Sequence, residues 1–187
     1  MKTIATVTLV ATAPLALAVF AGEPAPEQVV ALAHAKAVSL AADPVVVDAV
    51  RTRNAKKTSL VDIRHLDERW QATPGIAPFM ASLMDSSCGP RLRSAQAEED
   101  YYSEIFVVDN QGANVCMTDK TSDYWQGDEA KFSKSFTGGG GQVFVDEVKF
   151  DDSTQAYVVQ ASVPIVDGGA AIGVLVVSID VDKAMAL

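Results

Sequence analysis

Residues 104–136 constrain the fold more than any other part of the chain. They read EIFVVDNQGANVCMTDKTSDYWQGDEAKFSKSF. Ile105, Phe106, Val107 and Val108 form an apolar strand that meets a turn at Asp109, Asn110, Gln111 and Gly112. A second strand follows, then a polar cluster around Tyr124, Trp125, Asp128 and Glu129, and then a short helix. A hairpin that hands an aromatic and acidic cluster to a loop is one way for a small sheet domain to build a pocket.

The N-terminus reads differently. Met1 and Lys2 give a short positive start, Thr3 to Phe20 is uncharged and mostly apolar, and Val19 and Ala21 precede Gly22. This is the pattern of a secretory signal peptide over residues 1–21. The competing reading is an uncleaved membrane anchor, which Pro14 and four scattered threonines disfavour. The expectation is a domain of residues 22–187 in the periplasm or secreted. No later apolar run reaches spanning length; the run at residues 172–179 suits a buried strand.

The 187-residue chain carries a formal charge of −9, which excludes nucleic acid as a partner, since phosphate binding needs clustered Lys and Arg. It also disfavours an anionic membrane surface. Two cysteines, Cys88 and Cys116, form an even pair that an oxidising compartment would bond; two buried thiols are the alternative.

Periodicity divides the domain into a helical part, about residues 27–85, and a sheet part, about residues 104–180. Residues 28–42 repeat apolar positions at helical spacing, Asp43 and Pro44 punctuate them, and Ser59 caps a further helix that carries Leu60, Ile63, Leu66 and Trp70. Residues 91–102 are ambiguous. Strands are expected at residues 104–108, 113–117, 142–150, 156–165 and 171–179. Asp128 is expected to cap a helix that places Phe132 and Phe136 on one face, and Asp167, Gly168 and Gly169 signal a tight hairpin. The class is α+β with five consecutive, hairpin-linked antiparallel strands.

Several constellations bear on chemistry. Tyr124 and Trp125 offer flat walls and Asp128 a carboxylate, although each also has a structural use as core or cap. Asp151, Asp152 and Ser153 read first as a solvated turn and second as a cation site. On the strand at residues 156–165, Tyr157, Val159, Ala161 and Val163 share one face, and Val158, Gln160 and Ser162 the other. Catalytic readings are weak. His34 and His65 are the only histidines, no nucleophile elbow is present, and residues 138–141 lack the Lys and Ser/Thr of a phosphate loop. No enzyme, metal or cofactor is expected.

These motifs resemble the Cache domains, PAS-like extracytoplasmic sensors also called PDC domains. The similar stretches are VDAVRTRNAKKTSLVDIRHLDERW, EIFVVDNQGANV, TSDYWQGDEAKF, VKFDDSTQAYVVQASVPI and IGVLVVSIDV. The resemblance implies a long N-terminal helix packed on a central antiparallel sheet, with a small ligand on the opposite face. It implies ligand contacts at Tyr124, Trp125, Asp128, Asp152 and Tyr157, with Arg91 or Arg93 as a cation for a carboxylate ligand. The expected function is a non-enzymatic exported sensor of a small polar ligand (an amino acid, amine or organic acid) that reports to a membrane signalling protein. The alternative is a signal-anchored protein that regulates a membrane partner through its surface, without a small ligand.

Overall fold

Pro44 breaks the N-terminal helical run where the sequence places the break. In the computed structural model, which describes residues 21–86, 88–152 and 154–187, α1 (Glu27–Leu32) passes through a wide turn (Ala33–Ala37) into α2 (Val38–Ala41). There the chain bends by 63° into α3 (Pro44–Ala55). Asp43 makes the bend stable: its side chain accepts a 2.9 Å bond from the Val45 N–H, and Pro44 fills a first-turn position that needs no donor. Ser59 caps α4 (Leu60–Ala72) in the same way, through the Asp62 N–H. Two shorter helices follow, α5 (Pro78–Met84) and α6 (Gly89–Glu98). The second resolves the ambiguous stretch as helical, with Leu92 and Ala95 as its buried stripe. The signal-peptide expectation covers residues 1–21, of which residues 1–20 lie outside the described residues. Among the described residues no single helix is long and apolar enough to cross a membrane.

The sheet contains β1 (Tyr102–Asp109), β2 (Asn114–Met117), β3 (Phe144–Asp151), β4 (Ala156–Asp167) and β5 (Ala170–Asp180), all antiparallel, in the order β2-β1-β5-β4-β3. α7 (Ala130–Phe136) lies between β2 and β3 in sequence, and α8 (Val181–Met185) ends the fold. The α+β class with a five-stranded sheet is as expected; the consecutive hairpins are not. β2 and β3 occupy opposite edges, and β1 pairs with β5. The reason is the composition of β5. Val174, Leu175, Val176, Val177 and Ile179 are wholly buried, so this strand needs cover on both faces and both edges. Gly173 permits the β1–β5 contact, because a Cβ there would lie 2.3 Å from the Val108 carbonyl oxygen.

Side-chain alternation sorts the two faces. Ile105, Val107, Val159, Ala161, Val163, Leu175 and Val177 pack with α1, α2, α3 and α6. Phe106, Val108, Val174 and Val176 pack with Ile63, Trp70, Met80 and Phe132 from α4, α5 and α7. The residues after Ala21 do not act as a free linker. Gly22 donates to the Val148 carbonyl and the Val148 N–H donates to Glu23, each at 2.8 Å, so this segment covers the outer edge of β3.

Cys88, at the start of α6, and Cys116, on β2, are joined by a disulfide with Cα atoms 5.8 Å apart. The bridge ties a helix to an edge strand that has one sheet neighbour. In the denatured, unreduced protein thiol labelling should find no reactive cysteine, and Cys116→Ser should lower unfolding free energy by about 3 kcal/mol in a urea titration. Two labelled thiols per chain would refute the bond.

Candidate functional site

The crossover from β2 to β3 covers one face of the sheet incompletely, and a cavity of about 550 Å³ lies beneath it. Glu104 and Phe106 of β1, Val158 and Gln160 of β4, and Lys149 to Asp152 at the end of β3 line it from the sheet side. Lys120, Thr121, Ser122, Gln126 and Lys131 line it from the crossover. The floor changes character along one face. Val174 and Val176 on β5 lie under the covering helices, whereas the next residue on that face, Ser178, is polar and pairs with Glu104 on one side and Gln160 on the other. Gln160 Nε2 donates to Ser178 Oγ at 3.3 Å.

The crossover loop is held by α4 and the β1–β2 hairpin. Asp67 Oδ1 accepts from the backbone N–H groups of Tyr124 (2.8 Å) and Trp125 (3.1 Å). Trp70 Nε1 donates to the Thr121 carbonyl at 2.8 Å. Asn114 Nδ2 donates to Thr121 Oγ1 at 2.7 Å and to the Asp123 carbonyl at 3.1 Å. The hairpin tip fits against the loop so closely that a Cβ on Gly112, whose φ is +83°, would lie 2.5 Å from Gly127 Cα. These bonds fix the roof without drawing on the groups that line the cavity floor.

Charge is unevenly compensated inside. The Lys131 ammonium pairs with Glu129 at 3.0 Å, Lys149 with Asp146 at 2.6 Å, and Lys120 donates to the Thr73 carbonyl at 2.8 Å. Glu104 makes no ion pair within 4 Å among the described residues. Burial pushes its carboxyl up to about 7; the charges of Asp151 and Asp119 act in the same direction and Lys131 opposes them. Gln126 is 1% exposed, and its Oε1 has no hydrogen-bond partner among the described residues.

Of the residues expected at a ligand, Asp152 lines this cavity; Ser153 beside it lies outside the described residues. Tyr124 is buried against Trp70, and its hydroxyl accepts a 2.7 Å bond from Arg53 Nη2. Trp125 is half-buried, donates from Nε1 to the Gln111 carbonyl at 2.7 Å, and lies under the Arg64 guanidinium. Asp128 is exposed in the turn before α7. It does not cap that helix: Glu129 occupies the cap position, with no side-chain cap bond, while its carboxylate pairs with Lys131. Tyr157 lies on the opposite face, packed edge-on against Phe150. Arg91 is bonded to Asp43 at 2.8 Å, and Arg93 to the Met84 carbonyl at 2.6 Å, on the helical side.

Sequence reasoning missed Glu104, Lys131 and Gln126. The available signal was alternation: a glutamate two residues before Phe106 must share its face, and an acid on a core-facing position needs a reason.

Neither a protein-family model nor a curated protein matches the chain. Its structural neighbours are sensor domains of histidine kinases and chemoreceptors, of the Cache type. The sensor domain of the histidine kinase DctB from V. cholerae is 12% identical with a TM-score of 0.45, over 86% of this chain and 53% of that one. The sensory domain of the chemoreceptor Tlp3 from Campylobacter jejuni, with isoleucine bound, is 17% identical at 0.41, over 86% and 66%. The ligand-binding domain of the amino acid chemoreceptor PctC from Pseudomonas aeruginosa, in complex with GABA, is 15% identical at 0.38, over 68% and 59%. The chain thus spans about half to two thirds of the length of these structures. A likeness at this level transfers no ligand and no residue role to this chain.

Two expectations follow from the geometry. A carboxyl that binds its proton more tightly when folded stabilises the fold fully below its unfolded value and loses that contribution as pH rises through the folded one. At about 1.4 kcal/mol per pH unit, Glu104 should cost on the order of 3 kcal/mol of stability between pH 4.5 and about 7. Urea titrations across that range should show the decline in the parent protein relative to Glu104→Gln; parallel profiles would refute the assignment. Asp67→Ala should destabilise by roughly 2–3 kcal/mol, because two N–H groups lose a charged acceptor. A change below 0.5 kcal/mol in the same titration would show that Asp67 does not hold the loop.

Proposed function

We propose that this chain is an exported, non-catalytic sensory domain that binds a small polar molecule in the sheet-face cavity and reports its occupancy to a signalling partner. One observation carries the reading: where the crossover leaves the sheet uncovered, the face turns from the valines of β5 to Ser178 between Glu104 and Gln160, and Glu104 and Gln160 line the cavity. A protein that acted through its surface alone would gain stability by filling that space with apolar side chains. The size is that of a small-ligand site.

The ligand class is an amino acid, an amine or an organic acid. Glu104 pairs with a protonated nitrogen, Gln126 and Gln160 supply amide hydrogen bonds, and Lys131, Lys120 and Lys149 meet an anionic group by exchanging their present partners. Asp152 closes the open side. Tyr124, Trp125 and Asp128 then frame the site: the two aromatics anchor the roof and Asp128 stands in the turn that leads to α7. Export through residues 1–21 places the domain where such solutes arrive from outside the cell.

A thermal-shift screen of the residue 22–187 protein against amino acids, amines and organic acids tests the reading, since any binder of the native state raises the midpoint. Calorimetry with the strongest binder then places it. Glu104→Gln should weaken binding by about tenfold or more, the worth of one charge-assisted hydrogen bond. Asp128→Asn should leave affinity within about twofold. A large loss for Asp128→Asn with none for Glu104→Gln would move the site onto the loop, and a screen in which nothing binds would remove the sensory reading.

A further inference from the structure

We propose that Glu104 makes the cavity an exchange site in which a proton and an organic ammonium group compete for one carboxyl. With the cavity empty, the side chain takes a proton below its midpoint and is then the neutral acid. When a protonated nitrogen enters, the acid gives its proton to solvent and the carboxylate pairs with the ammonium, so one proton leaves for each cation bound. The identity of the physiological cation rests on the sensory reading above; the proton half rests on the burial of Glu104 in the cavity wall and on the engagement of the neighbouring lysines elsewhere.

That geometry is a largely buried carboxyl that makes no ion pair within 4 Å among the described residues and whose neighbouring lysines are engaged elsewhere. The charges of Asp151, at the end of β3, and Asp119, in the loop after β2, act on the Glu104 carboxyl in the same direction as burial, and Asp152 also lines the cavity. On the covering side Lys131 of α7 attracts the carboxylate, but its ammonium is paired with Glu129 at 3.0 Å. Lys149 of β3 and Lys120 are likewise bonded elsewhere, at 2.6 and 2.8 Å. Across the sheet the neighbours are the neutral Ser178 and Gln160, already bonded to each other. A carboxylate in this setting lacks compensation, and either a proton or a ligand cation supplies it. A metal ion fits poorly, because among the described residues no three acidic, His or Cys side chains gather to hold one. An ammonium group needs only one carboxylate and tolerates the adjoining Phe106 ring, over which Lys131 Nζ lies 5.5 Å from the centroid.

The test is a carboxyl carbon NMR titration of the folded protein labelled at glutamate, with Glu104→Gln or Glu104→Asp used to assign the resonance. Glu104 should titrate near neutrality in the free protein. Saturating methylammonium chloride should lower that midpoint by about one pH unit or more, whereas sodium chloride at equal ionic strength should not. By linkage, methylammonium affinity should rise roughly tenfold per pH unit below the free midpoint and level off above it. A Glu104 midpoint in the ordinary carboxylate range, or one that methylammonium leaves in place, overturns the proposal. Failure of the ligand screen bears on the sensory reading only, because the free-protein titration requires no physiological ligand.

Discussion

The fold depends on the burial of β5. Five wholly buried apolar side chains in that strand exclude it from any sheet edge, so β1 must close against one side and β4 against the other. That placement sends β2 and β3 to opposite edges. The chain between them then has to cross a whole face of the sheet. The cavity is a consequence: residues 118–143 roof that face, and they are too few and too polar to seal it. Each fully buried valine or leucine contributes on the order of 1.5–3 kcal/mol, so the strand order is strongly favoured over a simple meander.

A roof made from a loop must be fixed by something other than its own secondary structure. Asp67, Trp70 and Asn114 do this by accepting or donating at four points along the loop's main chain and at Thr121 Oγ1. The bonds come from α4 and β2, both of which belong to the apolar part of the fold. Consequently the groups that line the cavity floor are not needed to hold it open. Glu104 can be a poorly compensated carboxyl at tolerable cost, because the rest of its strand is buried and paired on both edges.

Much of this was legible in the sequence, for local reasons. Asp43–Pro44 and Ser59 are cap signals whose chemistry acts within a few residues, and both act as read. The alternation in β4 separates Val159, Ala161 and Val163 from Val158 and Gln160 as the strand period requires. What the sequence hid is what tertiary crossing creates. Strand order follows from competition among strands for the central position, which no single strand displays. Tyr124 and Trp125 look like pocket walls until Asp67, from another element, claims their N–H groups and Trp70 packs against the tyrosine. Glu104 sits in an apolar run and reads as a strand terminus. Its significance comes from burial beneath the crossover, and from the charges of Lys131, Asp151 and Asp119, which lie elsewhere in the sequence.

The edge strand β3 links the cavity to the start of the domain. Val148 exchanges two backbone bonds with Gly22 and Glu23, and the residues that follow it, Lys149 to Asp152, line the cavity. Strands are stiff along their length, so a ligand that draws the end of β3 toward the cavity moves Val148 with it. The outer pair of bonds at Gly22 and Glu23 must then follow or break. Breaking them exposes the edge of β3, whose N–H and C=O groups would be free to pair with another chain. The cavity wall and the N-terminal segment are thus joined through one strand by backbone hydrogen bonds.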